Sequence, residues 1–175
     1  IPSNAVITPS ARDRLNELDV KLVKRSGGHV SATTSKNNGA LDENGIDQSV
    51  RANSSKTDIE RLFNSPAVHE LKEQICDVGR RLWQRAYVDG NGGNLSIRLT
   101  EDVVLCTPTL VSKGFMKPED LCLVDLEGNQ LAGIKNRTSE ILMHLSIMKA
   151  QPKARAVSHA HPPYATGFAV AGGQP

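Results

Sequence analysis

A change of hydrophobic rhythm at Asp89–Gly93 constrains the fold more than any other feature of the chain. Before it, Val68, Leu71, Ile75, Val78 and Leu82 recur at steps of three and four, with charged residues between them. That spacing makes one apolar stripe on an α-helix, and the stripe must be buried against a core. Ser65 offers a hydroxyl cap and Pro66 suits the first helical position, so the helix is predicted to begin there and to stop before the glycines. After the glycines the period drops to two. Asn94–Leu99 alternates as a strand, Val103–Cys106 reads as a second and Leu121–Leu126 as a third, and a short fourth lies near Gln130–Leu131. Turns are expected at Lys117–Asp120 and Glu127–Asn129. Thr138–Glu140 opens a helix that runs to about Ala150, Ala154–His161 is a strand, and Pro163 starts another helix. Short strands joined by tight turns, with helices packed on them, predict an α/β domain with a largely antiparallel sheet.

Residues 1–57 differ. Ser, Asn, Gly and Asp dominate and large apolar residues are few, so the segment is expected to be a flexible polar tail, with the ordered domain spanning 58–175. Within the tail, Leu15, Leu18 and Leu22 are spaced for a marginal helix over Ala11–Arg25. Charge is nearly balanced, 21 Lys and Arg against 19 Asp and Glu, and aromatics are scarce, which argues against nucleic acid as a partner. No apolar run is long enough to span a membrane and no signal-peptide pattern opens the chain, so no membrane partner is expected. The three cysteines, Cys76, Cys106 and Cys122, are odd in number and widely spaced. They suit buried thiols in a reducing compartment, and the expected location is cytoplasmic. A chain that opens on Ile1 and ends on Gly172–Pro175 soon after a hydrophobic stretch is read as a fragment missing its C-terminal part.

Four short stretches carry candidate chemistry. His159 and His161 are two residues apart at the end of a strand, so both rings can reach one point in space. Imidazole suits zinc, but a catalytic zinc takes three protein ligands and one open position, and a surface strand with two solvated histidines has the same spacing. The glycines of Asp89–Gly93 could form an anion-binding nest or simply turn the chain. Thr138, Ser139 and Glu140 stand at a helix start, where free N–H groups favour phosphate, although Glu in a first turn is also ordinary capping chemistry. Glu140 and His144 lie one turn apart on that helix, and His144 is read as a packed histidine rather than a ligand. Thr107-Pro108-Thr109 ends a strand and presents hydroxyls, with Lys113 nearby; alone it is a turn.

Taken in order, GGNLSIR, TPT, TSE at a helix start and a strand ending SHAHPP resemble the class II aldolase/adducin family. The likeness runs from about Ser65 to the end. It implies a three-layer α/β/α fold around the antiparallel sheet, incomplete at its C-terminus. It also implies a zinc-dependent, or other divalent-metal-dependent, lyase that cleaves a ketose 1-phosphate to dihydroxyacetone phosphate and an aldehyde. Sibling reactions are sugar-phosphate 4-epimerisation and dehydration, and the adducin branch is a non-enzymatic interaction domain. By resemblance, Gly93, Asn94, Thr109, Thr138 and Ser139 contact substrate phosphate, Glu140 is the catalytic acid/base, and His159 and His161 are two of three metal ligands. The third histidine is expected beyond Pro175. The resemblance also implies a homotetramer for the complete protein and an inactive fragment here. Glu140 should need a pKa raised by burial to donate a proton. One departure stands out: Leu110 replaces a common Gly, and Leu resists the positive φ that Gly allows.

Overall fold

In the computed structural model, which describes residues 41–172, the first two helices each start on a serine cap. Ser55 caps α1 (Lys56–Phe63) by accepting from the Asp58 N–H, and Ser65 caps α2 (Pro66–Gln84) by accepting from the Val68 N–H at 3.3 Å. The buried stripe of α2 is Val68, Lys72, Ile75, Cys76 and Gly79, whereas Val78 faces solvent. A lysine can join such a stripe because its stem is apolar, and the Lys72 Nζ lies 3.2 Å from the centre of the Phe63 ring.

The strands are β1 (Asn94–Arg98), β2 (Val103–Cys106), β3 (Cys122–Asp125), β4 (Gln130–Ala132) and β5 (Ala156–His159). They form one sheet in the order β4-β3-β2-β1-β5, antiparallel at every pairing. Alternation sends side chains to two cores. Val103, Leu105 and Leu123 face α1 and α2, together with Val68 and Ile75. Val104, Cys106, Cys122 and Val124 face α3 (Ile141–Ala150), meeting Ile141, Leu145 and Met148. The result is the three-layer α/β/α arrangement. A final helix, α4 (Pro163–Val170), buries none of its residues, and no helix among the described residues is long and apolar enough to cross a membrane.

The structure corrects the boundary expected at residue 57. Packed structure reaches back to Leu41, and Ile46 and Val50 are buried in the α1–α2 core. Two apolar residues suffice because polar neighbours tie the segment down. The Asp42 carboxylate accepts from the Asn44 and Ile46 N–H groups, Gln48 Nε2 donates to the Leu99 carbonyl, and the Ala52 N–H donates to Asp102. The helix read over residues 11–25 lies outside the described residues. β5 is also shorter than expected: the Ala154 N–H turns back to Gln151, and the His161 N–H leaves β1 for the Tyr87 carbonyl. The three thiols are free and buried, and burial pushes Cys76 and Cys122 up to about 11.

The loop between β2 and β3 is anchored at both ends. A Cβ on Gly79 would lie 2.8 Å from the Lys113 carbonyl oxygen, so α2 and the loop meet backbone to backbone. Leu110, in the same loop, takes φ +57 and is 77 % exposed. The left-handed conformation that the sequence argues against is therefore adopted by a leucine, held there by the Thr109 N–H on the Asn136 carbonyl and by the buried Lys113.

Two stability predictions follow from this loop. Gly79→Ala should lower stability by about 1–3 kcal/mol in denaturant unfolding, although alanine is the better helix former, because the loop must shift. Leu110→Gly should raise it by about 0.5–1 kcal/mol, since release of the left-handed strain outweighs glycine's extra freedom when unfolded.

Candidate active site

β1 and β5 run antiparallel with Asn94 opposite His159, so the start of β1 and the end of β5 meet at one end of the sheet. The end of β2 joins them there: the Thr107 N–H donates to the Leu95 carbonyl, and Thr107 Oγ1 accepts from the Leu95 N–H. The segment before α3 is pinned to the same place. Thr138 N–H donates to the Thr107 carbonyl at 3.0 Å and Thr109 N–H to the Asn136 carbonyl at 2.9 Å. Four pieces distant in sequence thus gather Gly93, Asn94, Thr109, Thr138, Ser139, Glu140, His159 and His161 around one rim. Thr138 is buried and accepts from the Glu140 N–H through Oγ1, while Ser139 and Glu140 are exposed.

The two imidazoles share a side. Their ring centroids are 4.8 Å apart in an edge-to-face arrangement, although only His159 lies within β5. Glu140 Oε2 sits 3.0 Å from His159 Nδ1. A carboxylate only accepts, so Nδ1 carries the proton and the lone pair of His159 is on Nε2. That tautomer fits metal ligation, because ligating histidines usually give their other ring N–H to a carboxylate or carbonyl. Among the described residues no three His, Cys, Asp or Glu side chains are grouped to hold a metal, so the pair is a partial donor set.

Gly93 is required where it stands. Its φ is +68, and a Cβ there would lie 2.4 Å from Val88 Cγ1 and 2.9 Å from the His159 carbonyl oxygen. Lys113 closes the rim from behind. It is almost fully buried, and its ammonium donates to the carbonyls of Asn91 and Val111 at 3.2 and 2.6 Å. Burial lowers its pKa, an effect opposed by the Glu140 charge.

The Glu140 pKa departs from expectation. The Asn94 side-chain N–H bonded to its carboxylate, with further help from His159, holds it below the ordinary glutamate value. The side chain is 45 % exposed, so burial does not win. The structure therefore favours the ionised carboxylate over the neutral acid. His144, read from the sequence as a packed histidine, is one. It is fully buried, with Nδ1 2.7 Å from Ser96 Oγ and Nε2 bonded to Asn94 Oδ1. The available signal was period two along β1, which puts Asn94 and Ser96 on the face that α3 covers.

Burial lowers the His144 pKa from 6.5 to about 4, so the folded protein keeps this ring neutral where the unfolded chain takes up a proton. Stability should therefore fall as pH drops from about 6.5 to about 4, by up to roughly 3 kcal/mol from this residue. Urea midpoints across that window should fall less steeply in His144→Gln than in the parent protein.

The family profile "Class II Aldolase and Adducin N-terminal domain" matches residues 73–175. The L-fuculose phosphate aldolase of Methanococcus maripaludis is 44% identical over 97 residues, covering 55% of this chain and 52% of that protein. The 3-oxo-tetronate 4-phosphate decarboxylase of Haemophilus influenzae is 40% identical over 97 residues, covering 55% of this chain and 46% of that protein. Among solved structures, Escherichia coli YgbL, for which aldolase, epimerase and decarboxylase are named as alternatives, superposes with a TM-score of 0.54 at 31% identity. That match covers 57% of this chain and 48% of YgbL, so the chain spans about half the length of the relatives it matches. By profile, relatives and fold together, this chain belongs to the class II aldolase and adducin family.

Proposed function

We propose that the full-length protein is a metal-dependent lyase acting on a sugar phosphate, with Glu140 as the proton carrier and His159 and His161 as two of the metal ligands. The observation that carries this reading is the meeting of the two imidazoles with the Glu140 carboxylate at a rim of loops suited to phosphate. A divalent cation such as zinc would supply Lewis-acid stabilisation of negative charge on substrate oxygens. The third ligand would come from outside residues 41–172, and a histidine after Pro175 is the proposed source.

The protein's own groups account for the rest. Substrate phosphate is proposed to lie against the backbone at Gly93 and the hydroxyls of Thr109, Thr138 and Ser139, which gives positioning remote from the reacting carbons. Cleavage of a ketose 1-phosphate moves one proton from the C4 hydroxyl to C3 as the C3–C4 bond breaks. An ionised Glu140 can accept the first proton and return it to C3, so the balance closes on one carboxylate. The fuculose phosphate aldolase relative favours this retro-aldol reaction.

A second reading comes from the decarboxylase relative. A 3-oxo acid phosphate that loses carbon dioxide and a ketose 1-phosphate that loses an aldehyde can leave the same three-carbon enediolate phosphate. Both reactions then need a proton delivered to carbon, and this rim serves either. A cytoplasmic homotetramer is the proposed state of the complete protein.

Purified full-length protein should contain close to one equivalent of divalent metal per chain and cleave a ketose 1-phosphate or a 3-oxo-tetronate 4-phosphate. Glu140→Gln should keep the metal and lose at least about 100-fold in kcat. His159→Ala should lose the metal. The present 175-residue chain should bind zinc far more weakly by calorimetry and show no turnover. A metal-free parent whose activity survives Glu140→Gln would overturn the proposal.

A further inference from the structure

We propose that the cleft beside β4 is a binding site for a small organic monocarboxylate, with the Lys72 ammonium as its anchor. The site is independent of the reaction proposed at the rim.

Lys72 is the anomaly that marks the place. It is 5 % exposed on the buried stripe of α2, yet among the described residues its ammonium has no carboxylate and no hydrogen-bond acceptor. Its neighbour is the Phe63 ring, whose centre lies 3.2 Å from Nζ. An ammonium carries three N–H donors, and one ring face cannot answer them all. A buried cation without a counter-charge is costly, and burial accordingly pulls the Lys72 pKa down. A lysine kept for its apolar stem alone would carry its head out to water. Lys113 gives the contrast: it is equally buried, but its ammonium donates to two backbone carbonyls.

The cleft has the form of a ligand site. Its volume is about 600 Å³, and it lies among α1, the start of α2, the Pro118–Asp120 turn and β4. Small-molecule sites are commonly of this size. Phe63, Pro118, Leu131 and Ala132 give it apolar walls, and Lys72 lines it with them. β4 is the edge of the sheet opposite β5, so three strands separate the cleft from His159.

Charge chooses the ligand. Glu60 and Glu119 also line the cleft, and the Lys56 ammonium leans to Glu60 at 3.8 Å. Glu119 is exposed and screened by water, so Lys72 is the desolvated charge left to satisfy. A single negative charge balances it. A phosphate dianion would instead face two carboxylates with one uncompensated cation. An apolar body completes the match, because the walls gain from burying it while the ammonium gains the acceptor it lacks.

Sodium hexanoate titrated into the full-length protein by calorimetry should bind with a Kd of about 1 mM or tighter. Hexanamide, which keeps the shape without the charge, and inorganic phosphate should each bind at least about 10-fold more weakly. Lys72→Met keeps the apolar stem and removes the ammonium, and should cost hexanoate at least about 10-fold in affinity. Ile134→Asp adds a negative charge at an exposed position of the cleft wall and should cost about 3-fold or more. It decides the question if Lys72→Met does not fold. Absence of binding at about 10 mM hexanoate overturns the proposal, as does affinity unchanged in Lys72→Met, or in Ile134→Asp where that variant alone folds. Phosphate that binds more tightly than hexanoate and depends on Lys72 overturns the choice of a monocarboxylate. Hexanoate held at the rim instead would survive Lys72→Met and be lost in His159→Ala, and that result also overturns the site.

Discussion

The pairing of β1 on both edges is the constraint on which the rest of the site depends. β2 fixes one edge through Ser96–Cys106 to Arg98–Val104, and β5 fixes the other through Asn94–His159 to Ile97–Ala156. A slip of one residue between β1 and β5 would turn the side chains of β5 to the opposite face and carry the His159 ring away from Glu140. The register is held by more than the ladder. Leu95 and Val157 have buried or half-buried environments on opposite faces, and the Arg98 guanidinium reaches across to the Met148 carbonyl at the end of α3. Hydrophobic layering thus sets the distance between an imidazole and a carboxylate that come from different elements.

Much of this architecture could be read from the chain, and the failures have physical causes. Val103–Cys106 and Leu121–Leu126 are short, nearly continuous apolar runs, as suits strands whose two faces feed two cores, and period three to four gives α2. Residues 41–57 escaped because composition averages over a window. Ile46 and Val50 are few, but Asp42, Gln48 and Asp102 supply the hydrogen bonds that order the backbone between them. The near approach of His159 to His161 followed from the two-residue spacing, although His161 leaves β5 to bond Tyr87. The charge state of Glu140 was not legible. It depends on Asn94, which lies 46 positions away in sequence and meets it only when the sheet and α3 have assembled.

Buried polar groups around the rim share a common economy. Lys113 finds two carbonyls and His144 finds a hydroxyl and an amide oxygen, so neither is stranded in a region that excludes water. Lys113 is drawn to backbone oxygen, so among the described residues Glu140 has no direct ammonium partner. The carboxylate then meets a neutral amide and an imidazole N–H rather than a lysine.

Gly93 links the two halves of this arrangement through simple crowding. With the His159 carbonyl on one side of its α-carbon and Val88 on the other, even one added methyl must push the end of β5 outward. Bulk is therefore excluded at the glycine turn, whereas the solvent-facing tip at Leu110 can change without disturbing either ring. The rim is thus divided between a crowded hinge that admits no side chain and an open tip that already carries one.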